Sequence, residues 1–367
     1  MKVRSLTLRN YRNYEELELF LSEDINVFLG QNAQGKTNVL EAVYYSALGR
    51  SHRTSVDVEL IRKDGEQGFL SLIFERLGVE NTVEFQFARG KRRKIVYNGH
   101  SVHLKDLIGA VNVVLFSPED LFLIKGAPAG RRRFLDMEIS QADPSYFHDL
   151  AVYTRVIAQR NVLLKRIREK QTQRSMLDLW DVQLAPLAAR IVEKRRTAVK
   201  LLHRIANDMQ RRISGNVEEL SIEYELHGGT DEAVTEDLVS WYNQKLKEAH
   251  ELDILRGSTS VGPHRDDLMF SVNGMDLRSY GSQGQQRTGV LALKLSELAF
   301  FKEETEEYPV LLLDDVMSEL DKGRREKLLD FIREEHIQTL ITATDEAYFP
   351  EKEFGKIYHV KAGVITQ

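Results

Sequence analysis

Eight residues, Gly30-Gln31-Asn32-Ala33-Gln34-Gly35-Lys36-Thr37, restrict this chain more than any other segment. They follow an apolar run, Ile25 to Leu29. They precede a stretch in which Val39, Leu40, Val43, Tyr44 and Ala47 recur at helical spacing until Gly49 supplies a stop. A strand, a glycine-bounded turn and a helix in that order make a phosphate-binding loop of the form G-x-x-x-x-G-K-[ST]. Its glycines let backbone N–H groups turn toward phosphate oxygens, and the helix N-terminus adds the positive end of its dipole. Lys36 is expected to reach the β and γ phosphates of a nucleotide, with the Thr37 hydroxyl taking one Mg²⁺ position. The expected fold class is α/β, a phosphate-loop core of mixed sheet and helices.

Such a site needs an acidic residue at the tip of a neighbouring buried strand, and Val310-Leu311-Leu312-Leu313-Asp314-Asp315 offers one. We assign Asp314 to the Mg²⁺ shell and Asp315 to the attacking water, because phosphoryl transfer depends on positioning and electrostatics. Just upstream, Tyr280-Gly281-Ser282-Gln283-Gly284-Gln285-Gln286-Arg287 opens a helix running through Leu291, Leu295 and Leu298. This turn resembles the signature motif of ABC-type ATPases. The resemblance implies that Ser282, Gly284 and Gln285 bind the γ-phosphate held by the loop of an opposing copy, so that ATP is sandwiched in a homodimer. Ser318-Glu319-Leu320-Asp321 is similar to the D-loop that lies across such an interface.

At 367 residues the chain is long enough for two compact units. Strands are expected at Leu6 to Tyr11, Phe69 to Glu75 and Thr82 to Phe87, and again at Val310 to Leu313 and Thr339 to Thr342. Asn98-Gly99 and Asn273-Gly274 have the composition of hairpin turns. From about Pro144 to Met209 the spacing of Val156, Ile157, Leu163, Leu164 and Ile167 predicts helix. The expected division is an ATPase core from 1–119 and 288–367, and a helix-rich second lobe, 120–287, carrying the signature turn. No apolar run can span a bilayer, the N-terminus turns polar within a few residues, and cysteine is absent. These features predict a cytoplasmic protein with no membrane partner.

The formal net charge of −5 is unevenly spread: residues 151–212 hold 15 Lys/Arg against 5 Asp/Glu, a local +10 that leaves −15 elsewhere. Two readings stay open at this level. One is a nucleic-acid surface, with Lys194, Arg195 and Arg196 as its densest cluster. The other is a helical face whose cations meet carboxylates from other segments. Arg53, Arg131, Arg132, Arg133 and Arg265 divide the same way, between binding phosphates and bracing loops. His52 and His264 lack a second ligand at metal spacing, so no metal other than Mg²⁺ is expected.

The blocks Leu6-Thr7-Leu8-Arg9-Asn10-Tyr11-Arg12-Asn13-Tyr14, Gly49-Arg50-Ser51-His52-Arg53-Thr54, Phe116-Ser117-Pro118-Glu119-Asp120-Leu121, Gly130-Arg131-Arg132-Arg133-Phe134-Leu135-Asp136 and Val261-Gly262-Pro263-His264-Arg265-Asp266-Asp267 all resemble those of the RecF family. That likeness covers essentially the whole chain. It implies an ABC-type head related to those of SMC and Rad50 proteins, with a short helical region in place of their long coiled coil. It further implies Arg12 and Asn13 near the base or ribose and Asn38 beside the phosphate loop, although Arg12-Asn13 also suits an ordinary turn. By resemblance, the protein is a weak DNA-dependent ATPase of recombinational repair. Its ATP-closed dimer would bind double-stranded DNA at gaps or single-strand junctions and help load RecA with RecO and RecR. Asp315 replaces the glutamate usual in ABC transporters, Thr344 and Asp345 stand where their histidine would be, and Ser117-Pro118-Glu119-Asp120 replaces the Q-loop glutamine. Hydrolysis is therefore expected to be slow, reopening the dimer. The rival reading is an SMC-like DNA clamp or tether, which would call for sustained heptads that the sequence lacks.

Overall fold

The computed structural model describes residues 1–229, 237–349 and 355–367. The chain divides into two compact units: Met1–Asp120 joined by Lys294–Gln367, and Leu121–Leu293. No helix among the described residues is long and apolar enough to cross a membrane.

The first unit holds two six-stranded sheets. One runs, edge to edge, Val364–Thr366, Lys356–Lys361, Ile25–Leu29, Thr339–Ala343, Val310–Asp314 and Val113–Phe116. Its pairings are parallel except for the terminal hairpin. Every residue of Ile25–Leu29, Val310–Asp314 and Thr339–Ala343 is buried, which is why these strands read as unbroken apolar runs. Leu29 pairs with Ala343 and Asp314 with Thr342, so three strand ends reach one carboxyl edge together. Ligands of open parallel sheets bind at such an edge.

The second sheet is antiparallel, in the order Tyr14–Phe20, Lys2–Tyr11, Gln67–Arg76, Val79–Ala88, Lys94–Tyr97 and His100–Ser101. Asn98 and Gly99 both take positive φ, 48° and 80°, as the predicted two-residue turn requires. Tyr14–Phe20 was not anticipated, because Glu15, Glu16 and Glu18 mask the inward-facing Tyr14, Leu17 and Leu19.

The other unit is not purely helical. Helices Pro128–Ala142, Pro144–Arg168, Leu177–Ser214, Leu238–Glu248 and His250–Arg256 accompany a three-stranded antiparallel sheet of Met275–Asp276, Asp267–Val272 and Leu220–Glu225. The Asn273-Gly274 turn joins two of these strands, with φ of 50° and 76°.

Buried charge organises this unit. Arg160, fully buried, donates from Nε to Asp181 at 2.8 Å and from Nη1 to Asp253 at 2.7 Å, while His250 meets the other Asp181 oxygen at 2.6 Å. Arg195, 2% exposed, donates to Asp136, the Tyr146 and Tyr224 hydroxyls and the Pro263 carbonyl. Burial pushes the neighbouring His264 down to about 4, so it stays neutral and shares a 2.8 Å hydrogen bond with Tyr153. In such a network each lost partner would strand a desolvated charge.

Candidate functional site

The phosphate loop leaves the sheet at Gly30, whose N–H donates to the Ala343 carbonyl at 3.2 Å. A Cβ at Gly30 would lie 2.4 Å from the Val360 carbonyl oxygen, and one at Gly35 would lie 2.6 Å from Asn13 Nδ2. Gly35 also has φ of 115°, so glycine is required there on two counts. Gln31, Asn32 and Ala33 are exposed, while Lys36 is only 6% exposed. Its ammonium folds over the loop to donate to the carbonyls of Gly30 at 2.6 Å and Gln31 at 2.9 Å. Burial lowers its pKa, against the opposing pull of Asp315 and Asp314.

Thr37 Oγ1 donates to Asp314 Oδ1 at 2.8 Å, and Thr342 Oγ1 donates to the same oxygen at 2.8 Å. The Thr342 hydroxyl in turn accepts the Asp315 N–H at 2.8 Å. Asp315 adopts a left-handed φ of 57°, a strained conformation for a residue other than glycine. Burial raises its carboxyl pKa, with Asp314 and Glu319 adding to the shift and Lys36 opposing it. The donor set suits Mg²⁺: the Thr37 hydroxyl and an Asp314 carboxylate adjoin as hard oxygen ligands. Sequence reasoning missed Thr342, because its role depends on strand register.

Asn13 acts on the loop itself. Its Nδ2 donates to the Gln34 carbonyl at 2.9 Å and its Oδ1 accepts Asn38 Nδ2 at 2.7 Å. Arg53 then donates to Asn38 Oδ1 at 2.7 Å. Arg12 is a fork on Glu41, with Nε and Nη2 at 2.8 and 2.6 Å from its two oxygens, and the Ser51 hydroxyl adds a bond at 2.5 Å. Glu41 is fully buried, and it stays below the usual carboxylate range because these partners outweigh the burial that opposes them. Gln34 is clamped from a third direction, its side chain accepting Ala362 N–H at 2.7 Å and its carbonyl accepting Gly363 N–H at 3.1 Å. Glu41, Ala362 and Gly363 were not foreseen, since none belongs to a recognisable motif.

Ser282 caps the helix Gln283–Thr305. Its N–H donates to Gln285 Oε1 at 3.0 Å and its hydroxyl accepts Gln285 N–H at 3.2 Å, a reciprocal capping box. Gln286 fixes the turn by donating to the carbonyls of Leu277 and Gly281. Ser282 is exposed, whereas Gly284 and Gln285 are half-buried. At the D-loop segment, Asp321 caps the helix Lys322–Glu334 through Arg324 N–H, and Ser318 bonds the Asp315 carbonyl at 2.9 Å. In the Q-loop position, Asp120 accepts Ser117 N–H at 2.7 Å and braces its own turn. His52 stacks edge-on against Tyr44, with ring centroids 5.2 Å apart.

The reading of Lys194, Arg195 and Arg196 as a DNA-binding cluster is corrected. Arg195 is buried in the network described above and cannot reach a phosphate. Lys194 is paired with Asp143 and Ser145, and Arg196 is half-buried. Arg160, Arg174, Arg190 and Arg211 from the same stretch also meet carboxylates. Much of its +10 excess is therefore neutralised within the fold. Arg131 likewise braces, forking onto Asp267 at 2.7 Å.

Residues 2–366 match the family model described as RecF/RecN/SMC N terminal domain. The DNA replication and repair protein RecF of Lysinibacillus sphaericus is 44% identical over 375 residues, covering 100% of both chains. That of Halalkalibacterium halodurans is 44% identical over 371 residues, again covering 100% of both. Among solved structures, the recombination mediator protein RecF-ATP in the RecFOR pathway aligns with a TM-score of 0.92 at 36% identity, over 100% of this chain and 97% of that one. An SMC head bound to the C-terminal winged-helix domain of ScpA aligns at 0.61 with 14% identity, over 100% and 96%, a likeness of fold alone. With a full-length family match and relatives at this identity, the chain belongs to the RecF family.

Proposed function

We propose that the chain binds ATP with Mg²⁺ at the edge formed by Lys36, Thr37, Asp314 and Asp315, and that ATP closes two copies into a dimer. The observation that carries this reading is the convergence on one sheet edge of an ammonium, a hydroxyl and paired carboxylates from segments some 280 positions apart. Lys36 exchanges its loop carbonyls for phosphate oxygens. Thr37 and Asp314 would hold the Mg²⁺, which would supply charge neutralisation for the phosphates. Asp315, whose raised pKa makes it a better proton acceptor, orients the attacking water. Asn13 and Asn38 keep the loop in shape, and Arg12 lies toward the base or ribose with its guanidinium held by Glu41. Ser282, Gly284 and Gln285 of a second copy supply the opposing contacts at a helix N-terminus.

RecF relatives carry DNA replication and repair in their name, and one was solved with ATP as a recombination mediator. These names support an ATP-binding role in DNA replication and repair, and within it our reading is a cytoplasmic, weakly DNA-dependent ATPase whose closed dimer binds duplex DNA at gaps or junctions and works with RecO and RecR to load RecA. A tether reading is less favoured. The 38-residue helix Leu177–Ser214 spans only about 57 Å at 1.5 Å per residue.

Sedimentation is expected to give a monomer without nucleotide and a dimer with ATP and Mg²⁺. Ser282→Arg should bind ATP like the parent yet remain monomeric, because the bulky side chain blocks the opposing contact while the lost helix cap costs only about 1 kcal/mol. A Ser282→Arg protein that dimerised with ATP would exclude this role for the signature turn. Asp315→Asn should retain ATP-driven association while phosphate release falls on the order of 10²-fold or more, the scale of a lost general base. Parental turnover in that variant would remove Asp315 from the chemistry.

A further inference from the structure

With residues 194–196 withdrawn, the chain's densest exposed positive charge lies elsewhere. The turn joining strands Val79–Ala88 and Lys94–Tyr97 reads Arg89-Gly90-Lys91-Arg92-Arg93-Lys94, five cations in six positions. Arg89, Lys91, Arg92 and Lys94 are exposed. Lys91, Arg92 and Lys94 meet no carboxylate among the described residues. Arg89 is held by carbonyls alone, with Nε on Gly65 at 2.9 Å and Nη2 on Lys63 at 3.2 Å, so its charge is not neutralised. The same two bonds bring the turn bearing exposed Lys63 alongside. Arg62 and Arg93 are paired with Glu15 and Asp57. Including those two acids and the nearby Asp64 and Glu66, this group of residues keeps a formal +3.

The hairpin is also rigidly based. Arg93 Nη1 donates to the Tyr45 hydroxyl at 2.6 Å and to Asp57 at 2.9 Å, and its guanidinium lies 5.6 Å over the Tyr45 ring. Tyr45 is fully buried on the helix Lys36–Leu48 and packs edge-on against Phe85 and Phe87 of the strand leading into the turn. The helix that begins at Lys36 and Thr37 is thus joined directly to the base of the basic turn.

We propose that this hairpin, with Lys63 beside it, is the surface that receives the phosphate backbone of double-stranded DNA. The proposal rests on the DNA-binding reading of the preceding section. Two features select duplex over other polyanions. No large apolar residue of the turn or its flanking strand ends is exposed, so the anchor that a protein partner would bury is missing. Nor is an aromatic ring presented for stacking unpaired bases, since Tyr97 is half-buried and bonded to Asn81 at 2.9 Å. What remains is dispersed charge on a rigid support, which reads phosphate spacing without reading sequence.

The test measures binding of a fluorescent duplex to the full chain with ATP and Mg²⁺ across salt concentrations. A triple variant, Lys91→Ala with Arg92→Ala and Lys94→Ala, is compared with a charge-keeping triple, Lys91→Arg with Arg92→Lys and Lys94→Arg. Losing three phosphate contacts should reduce the log–log salt slope by about 2.7. Between 50 and 200 mM salt, the parent's affinity should therefore fall about 40-fold further than that of the alanine variant. The charge-keeping triple should retain the parental slope, and both variants should melt with the parent because the altered side chains are exposed. If the parent binds duplex and the alanine variant keeps its affinity and slope, the surface is wrong. A parent that binds no duplex in any nucleotide state overturns the DNA-binding reading itself. If the alanine variant keeps duplex binding but loses capture of an acidic protein, the hairpin is a protein dock and the proposal fails.

Discussion

Lys36→Ala is expected to leave a folded chain that no longer binds ATP at micromolar nucleotide and neither dimerises nor hydrolyses it. The ammonium is buried and folded over the loop carbonyls, and burial lowers its pKa against the pull of Asp315 and Asp314. Truncating one partner of a buried, hydrogen-bonded charge pair costs about 2–5 kcal/mol or more, ~30-fold to several thousand-fold in affinity. The fold should tolerate the change, because among the described residues Lys36 bonds only carbonyls of its own loop, and those can turn to water. Titration with a fluorescent ATP analogue, alongside a thermal melt, reads both expectations. An alanine variant that bound ATP within threefold of the parent would remove Lys36 from the phosphate site.

Arg195→Ala should act on stability instead. Removing the guanidinium leaves Asp136, Tyr146, Tyr224 and the Pro263 carbonyl facing a cavity without their common donor. Breaking a buried pair by deleting one member costs about 3–5 kcal/mol. For a unit of this size that lowers the melting temperature by roughly 6–20 °C. Its neighbour provides the control: Lys194 is partly exposed in its pair with Asp143, so Lys194→Ala should cost ~1 kcal/mol or less. Calorimetry on the three proteins separates the cases. If Arg195→Ala melted with the parent, the buried network would not be organising the unit.

That contrast also shows where sequence reasoning stops. Lys194, Arg195 and Arg196 are adjacent in the chain, but successive helical residues point about 100° apart. One cluster therefore divides among an ion-paired surface, a buried network and a half-buried face. Counting charge along a sequence cannot detect that division. The phosphate loop and its helix were legible because they are local: glycines where φ or space demands them, then an apolar stripe ended by Gly49. The two Asn-Gly turns were legible for the same reason. Leu220–Glu225 alternates Leu, Ile and Tyr with polar residues, yet its partner Asp267–Val272 lies some forty positions on, and the helical surroundings hid it. At the site, Asp314 could be named from its strand, whereas Thr342 emerged only from register with the adjacent strand.

The parallel sheet sets an order of assembly. Ile25–Leu29, which launches the phosphate loop, is flanked on both sides by strands more than three hundred positions later in the sequence. During synthesis the loop leaves the ribosome early, but its supporting strands and the amides of Ala362 and Gly363 that grip Gln34 arrive far later. Contacts of such separation form slowly, since the loop-closure entropy must be met first. A nascent chain halted anywhere between Thr37 and Gly363 would carry the whole phosphate-loop motif and still lack a finished nucleotide site. Competence to bind nucleotide thus becomes a report on the completed fold, and an unfinished product would be excluded from any step that requires it.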